Sequence, residues 1–166
     1  MDAARFDVDL HLVELRFACA RLIEPNAVEK LARSIERDGQ IVPCVVAATS
    51  PETSGAEGTE RLVLIDGYRR VAALRRLGRD RAFVERWPCD LADAVLSVLA
   101  RTQSRSFAAI EEALLLRELT QGLGVSQREI GRRCGRDDSW VNRRLQLLSA
   151  LPESGLAAVC AGRLST

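Results

Sequence analysis

The sequence predicts an α+β chain, a small α/β domain over residues 1–103 followed by an all-helical domain over residues 104–166 with a helix-turn-helix at 126–148. Two observations carry that reading. Leu62-Val63-Leu64-Ile65 is an apolar, β-branched run closed by the turn pair Asp66-Gly67, and from Tyr68 to Gly78 the apolar period becomes helical. Beyond Gln103 no strand pattern recurs, and two short capped helical segments meet at Gly135.

The elements follow in order. Asp7–Arg16 alternates partly and reads as a strand. Pro25-Asn26 marks a helix start with Asn26 as N-cap, and helix Ala27–Arg37 buries Val28, Leu31, Ala32 and Ile35 before Asp38-Gly39 ends it. Ile41–Ala47 is a strand, Pro43 placing it near an edge or at a strand start. Thr49–Glu60 is a polar loop. Arg81–Trp87 is a further strand closed by Pro88, and Asp90–Gln103 is a helix whose inward stripe is Leu91, Ala94, Val95, Val98 and Leu99. Ser104–Ser106 is the expected hinge, and Phe107–Gly122 the next long helix.

Composition limits what the chain can do. The 166 residues are 47% hydrophobic but only 4% aromatic, so aliphatic side chains must fill the core. The formal net charge is +1, so a nucleic-acid surface has to arise from local clustering. The 5 cysteines, Cys19, Cys44, Cys89, Cys134 and Cys160, show neither a disulfide frame nor zinc spacing, which points to a reduced, cytosolic chain. The N-terminus lacks the basic and apolar regions of a signal peptide, and no apolar run approaches the ~20 residues of a membrane span.

The strand–turn–helix at Gly67 is the chemically informative segment. A helix N-terminus offers free N–H groups and the positive dipole end, both favouring an anion. Arg69 and Arg70 in that first turn oppose the dipole by roughly 0.3–1 kcal/mol each when exposed, a sign that a phosphate would reverse. Arg70 also shares the inward stripe of Leu74 and Leu77, so it needs either a carboxylate, such as Asp66, or a bound anion. The spacing leaves both open.

In the second domain Ser126-Gln127-Arg128-Glu129 reads as a capping box, Gly131 as a close-packing residue, Gly135 as the turn, and Asp137 as the cap of helix Asp138–Leu148. That helix buries Val141, Leu145 and Leu148 and offers Ser139, Asn142, Arg143 and Gln146 on the opposite stripe, side chains suited to base edges or phosphates. Arg128, Arg132, Arg133, Arg136 and Arg144 supply positive charge nearby. Asp137 and Asp138 oppose phosphate binding there, and Trp140 reads as a packing residue.

The segment from Ile65 to Gly78 resembles the Gly-Glu-Arg-Arg box of the ParB/sulfiredoxin-like superfamily. Leu31–Val46 resembles the preceding ParB box, and the C-terminal third, including Leu151–Ser165, resembles the ParB helix-turn-helix domain. The resemblance implies a domain that binds CTP with a magnesium ion and closes a dimer into a clamp on double-stranded DNA. It places Gly39, Ile41 and Pro43 at the cytosine and Gly67, Arg69 and Arg70, beside Asp66, at the triphosphate. It places Gln127, Arg128, Ser139, Asn142, Arg143 and Gln146 at the DNA. Tyr68 stands where the box has glutamate, Ala72 where a further arginine is common, and Val42 for a usual glutamine. In the third ParB box, Ala100–Ser104 here, only Gln103 matches and the glutamate and asparagine that would handle magnesium are missing, with Arg101 or Arg105 as substitutes in charge. The C-terminal dimerisation domain of such proteins does not follow in this sequence.

The resemblance thus implies partition, plasmid maintenance or transcription regulation, a homodimer, a partition ATPase or other protein partner, no membrane partner, and a cytoplasmic, nucleoid-associated location. Two other classes compete. A sulfiredoxin-like enzyme would need a cysteine within Gly67–Arg70, where none stands, a nuclease would need a metal cluster, and the unmatched metal motif leaves at most a weak CTPase. An adaptor that has lost its ligand would keep the fold alone.

Overall fold

The computed structural model describes residues 3–49, 61–101, 108–152, 154, 155 and 158. The chain forms two compact units, Met1–Arg16 with Ile23–Leu91, and Phe17–Leu22 with Ala92–Thr166. The fold class is α+β: a mixed sheet with helices, then helices alone.

The first unit holds a 5-stranded sheet in the order β1-β5-β3-β4-β2, formed by β1 (Ala4–Asp9), β2 (Val13–Glu14), β3 (Cys44–Ala48), β4 (Leu62–Asp66) and β5 (Arg81–Trp87). β1 runs antiparallel to β5, β5 parallel to β3, β3 antiparallel to β4, and β4 parallel to β2. The single strand expected at Asp7–Arg16 is therefore two, on opposite edges of the sheet. A 3₁₀ turn at Leu10–Leu12 separates them. Leu10 and Val13, three residues apart, are both buried, a turn-like spacing that the partial alternation of the sequence conceals.

Two helices belong to this sheet. α1 (Pro25–Asp38) starts with Pro25 at its first position and Glu24 as its N-cap, so Asn26 is inside the helix rather than capping it. Proline's fixed φ and missing N–H suit that first position. Val28, Ala32 and Ile35 form the buried stripe, while Leu31 is half-buried. α2 (Tyr68–Arg76) ends at Leu77, after which Gly78 at φ +66° lets Arg79 N–H reach Leu74 O at 2.9 Å. Glu29 on α1 accepts from Arg76 on α2 at 2.8 Å and from Arg33 at 2.8 Å. β3 starts at Cys44, three residues later than the run beginning at Ile41 predicts, because Pro43 has no N–H for the ladder.

α3 (Leu91–Ala100) begins where the first unit ends, and Leu91, Ala94, Val95, Leu96 and Leu99 are buried. The expected hinge, Ser104–Ser106, lies outside the described residues. In the second unit α4 (Ala109–Arg117) continues as a 5-residue π-turn, Glu118–Gly122, where one regular helix was expected from Phe107. Thr120 Oγ1 donates to Leu116 O and lies 3.1 Å from Arg117 O, taking up carbonyls at the irregular turn. α5 (Gln127–Cys134) and α6 (Asp138–Ser149) follow, joined through Gly135 at φ +63°. The buried carboxylate of Glu111 accepts from Ala108 N–H at 3.0 Å and from Leu22 N–H at 2.8 Å, tying the 17–22 segment to the start of α4. Most of the segment Leu151–Ser165 lies outside the described residues.

Candidate functional site

β4 delivers the chain into a turn that glycine alone fits. Gly67 has φ +107°, and an added Cβ would lie 2.7 Å from Cys44 Sγ, 3.0 Å from Cys44 Cβ and 3.1 Å from Arg70 Nη2. Just before it the β3–β4 register slips: Val45 pairs with Asp66 and Val46 with Leu64, so Ile65 is the extra residue of a bulge. Bulges bend a strand and re-aim its end, here the Asp66-Gly67 corner. Cys44 lies fully buried beneath that corner, Sγ 3.8 Å from Gly67 O. Burial pushes its thiol pKa up, and the Arg70 guanidinium pulls against that.

The guanidinium groups at this corner are partly engaged. Arg70 Nη2 meets Asp66 Oδ2 at 3.3 Å, with side chains 19% and 25% exposed. The carboxylate alternative is therefore realised, but loosely. Nε of Arg70 and Nε of Arg69 are both buried without a hydrogen-bond partner. A buried N–H left without an acceptor is costly, and these two have none among the described residues. Tyr68 is turned inward instead, its hydroxyl donating to Leu64 O at 2.7 Å. The residue in the glutamate position of the box is thus part of the core.

Gly39, Ile41 and Pro43 lie on the loop that leads into β3 and so toward Cys44 beneath Gly67. Gly39 ends α1 at φ +76°, and Ile41 and Val42 are 74% and 56% exposed. The residue that fixes this loop is Gln40, which sequence reasoning missed. Its amide accepts from Phe83 N–H at 2.9 Å and donates to Phe83 O at 2.7 Å, pairing with β5 as a peptide group would, just ahead of the proline that cannot. Its Nε2 also lies 3.0 Å from Val42 O. The signal was available: a glutamine between a helix-ending glycine and Pro43. Gln103 lies outside the described residues. Among the described residues no group of 3 or more His, Cys, Asp or Glu side chains gathers to hold a metal.

The second unit presents the other predicted site residues on its surface. Ser126 caps α5, accepting from Glu129 N–H at 3.2 Å, but the Glu129 carboxylate is taken by Arg132 at 2.6 Å rather than closing a capping box. Asp137 caps α6, accepting from Trp140 N–H at 2.6 Å. Gln127, Arg128, Ser139, Asn142, Arg143 and Gln146 are all exposed. Ser139 donates to Asp137 at 2.7 Å and accepts from Arg143 at 2.7 Å, so the reading stripe starts with a prearranged chain of hydrogen bonds. These bonds hold the Asp137 pKa below the usual carboxylate range, the Ser139 hydroxyl first and the Trp140 N–H next. The expected cluster of free positive charge is thinner than the sequence suggests. Arg132 pairs with Glu129, Arg133 with Asp93, and Arg144 with Glu112 at 2.6 Å, while Arg136 stacks 5.8 Å over the Trp140 ring.

A sequence model of the ParB N-terminal domain matches residues 8–113, a stretch that includes the Gly67 corner and the Gln40 loop. The chain belongs to the ParB N-terminal domain family. A probable chromosome-partitioning protein ParB of Coxiella burnetii is 30% identical over 139 residues, covering 83% of this chain and 45% of that protein. A nucleoid occlusion protein of Lysinibacillus sphaericus is 27% identical over 155 residues, covering 93% of this chain and 49% of that protein. The chain thus spans about half the length of the curated relatives it matches. Among solved structures, the C-terminally truncated chromosome-partitioning protein ParB from Caulobacter crescentus complexed with CTP-gamma-S aligns with TM-score 0.49 and 21% identity, over 98% of this chain and 88% of that one.

The matched stretch includes Gly67-Tyr68-Arg69-Arg70, with Cys44 beneath Gly67 and Asp66 paired to Arg70. The match ends at Ala113, ahead of α5 and α6. Among the described residues no helix is long and apolar enough to cross a membrane.

Proposed function

We propose that the chain is a ParB-like DNA-binding protein of residues 1–103 and 104–166. The first part binds a nucleotide, CTP, and the second binds double-stranded DNA at specific sites through the α5–α6 helix-turn-helix. The observation that carries the nucleotide half is the Gly67 corner. It combines a helix N-terminus, a buried turn with no room for a side chain, and two buried guanidinium N–H groups without acceptors. A triphosphate supplies the oxygens those donors lack and reverses the unfavourable encounter of Arg69 and Arg70 with the helix dipole. Gly39, Ile41 and Pro43 would line the base side, with the exposed Ile41 as an apolar surface. Asp66 would orient Arg70. Magnesium would arrive on the nucleotide's own phosphates, because among the described residues Asp66 is the acid at that corner and is already engaged by Arg70.

Binding of nucleotide would set dimer or clamp state on DNA, in partition, plasmid maintenance or transcription regulation, in the cytoplasm at the nucleoid. A homodimer and a partition ATPase are the partners this reading entails, and the relatives named for chromosome partitioning and nucleoid occlusion support it. Calorimetric titration with CTP, ATP, GTP and UTP, each with and without magnesium, tests it. Saturable heat with CTP, lost in Arg70→Ala, is the expected result. No heat with any of the four would leave an adaptor domain. Retardation of duplex DNA at low salt tests the second half independently.

A further inference from the structure

We propose that Arg117 is a phosphodiester contact of the DNA-binding surface, set in a cleft beside the reading helix; the inference rests on the DNA-binding reading above. The cleft, about 430 Å³, is lined by Arg117, Thr120, Gln121, Gln127 and Ser149 together with Leu145 and Leu148. Three observations converge on it. Ser149 lies three residues beyond Gln146 and seven beyond Asn142, so it continues the exposed stripe of α6 into the cleft. A duplex lying along that stripe would run over the opening. Gln127, at the first turn of α5, also lines the cleft, and the exposed Arg128 follows it in the chain.

Charge is the second observation. Arg132, Arg133, Arg143 and Arg144 are each within ion-pair distance of an acid of their own unit. The Arg117 side chain has no acid or hydrogen-bond partner among the described residues, although the residue is half-buried. The third is the backbone. The π-turn Glu118–Gly122 begins immediately after Arg117, and the Thr120 hydroxyl is drawn back to Leu116 O at 2.9 Å. The widened turn forms one wall of the cleft. Its polar lining and lone cation fit a singly charged phosphodiester oxygen. Arginine is also at home at a helix C-terminus, so a role in the dipole alone has to be separated by experiment.

The test uses the full chain and the duplex recovered by selecting random-sequence DNA against it. Affinity is measured by fluorescence anisotropy across a salt series. Arg117→Ala is expected to weaken binding evenly across sequences and to make the slope of log K against log salt shallower by about 0.9, the value for one lost phosphate contact. Arg117→Lys should restore the slope. Arg117→Gln serves as the second variant if the alanine form melts at lower temperature. Asn142→Ala should instead change sequence preference. If the wild-type chain binds DNA while Arg117→Ala and Arg117→Gln keep its slope, the cleft proposal is overturned and the DNA reading stands. If the wild-type chain binds no duplex at low salt, both fall. If inorganic phosphate alone shifts the backbone amide resonances of Thr120 and Gln127 and the duplex does not, the cleft is a free-anion site and the proposal is overturned.

Discussion

Gly67→Ala should destabilise the fold of the first unit, for two separable reasons. The backbone at φ +107° is a conformation that L side chains rarely adopt. Holding alanine there costs roughly 1–3 kcal/mol. The new methyl would also sit 2.7 Å from Cys44 Sγ, and the thiol cannot retreat because Cys44 is fully buried. Overpacking of that kind adds roughly 1–3 kcal/mol. The sum, about 2–6 kcal/mol, is a large part of the 5–15 kcal/mol typical of a whole domain. Urea unfolding should show a lower midpoint at unchanged m-value. Adding Cys44→Ala removes the sulfur but leaves a Cβ at 3.0 Å, so the double variant should recover about 1 kcal/mol through coupling. The reasoning fails if Gly67→Ala unfolds at the wild-type midpoint. It also fails if the two substitutions are simply additive, since the clash would then not be the source of the loss.

Three further outcomes follow from the same geometry. Burial raises the Cys44 pKa, so the folded chain keeps the thiol neutral where the unfolded chain ionises at about 8.5. Its contribution is complete below that value and is lost as pH rises from there through the raised folded pKa, so urea midpoints should fall on the alkaline side and Cys44→Ala should flatten the fall. Asp137→Asn keeps the cap of α6 but removes a negative charge and releases Arg143, 3.7 Å away. Anisotropy with a nonspecific duplex should show binding tighter by a factor of about 2–10 at low salt, the gain shrinking as salt is added. Glu112→Ala strips Arg144 of its partner where the glutamate is only 14% exposed. A loss of about 1–3 kcal/mol is expected, read as a lower melting temperature by circular dichroism, with Glu112→Gln losing less.

What the sequence made legible was whatever depends on neighbours in the chain. The strand–turn–helix at Gly67, the caps Ser126 and Asp137, and the glycines at 78 and 135 are local chemistry, and each stands where its residue type places it. Asn26 was misread for a local reason, Pro25 starting the helix one residue earlier, but the larger misreadings have long-range causes. Asp7–Arg16 alternates enough to suggest one strand, but Leu10 N–H is drawn to Asp80 O at 2.7 Å, and the chain folds over there to reach the far edge. Gln40 looked like an ordinary loop residue because its partner, Phe83, lies 43 positions away. Arg133 and Arg144 looked like part of a basic surface because Asp93 and Glu112 come from other helices.

The same pairing resolves an apparent conflict between a net charge of +1 and a DNA-binding role. Net charge counts every arginine equally, whereas a phosphate responds to those whose field is not already cancelled at close range. In the second unit the pairs with Glu129, Asp93, Glu112 and Asp137 engage four guanidinium groups locally. Arg117 remains beside Gln127 in the cleft, with Arg128 next in the chain, while at the start of α6 Arg136 and Arg143 are matched in number by Asp137 and Asp138. The stripe is therefore polarised: positive where it meets the cleft, close to neutral where the helix begins. A duplex docked along it would be oriented by that gradient before any base is read. For this reason Asp137→Asn should raise affinity and loosen orientation together, so sequence preference should weaken while binding tightens. Equal tightening on every sequence with preference intact would show that the gradient orients nothing.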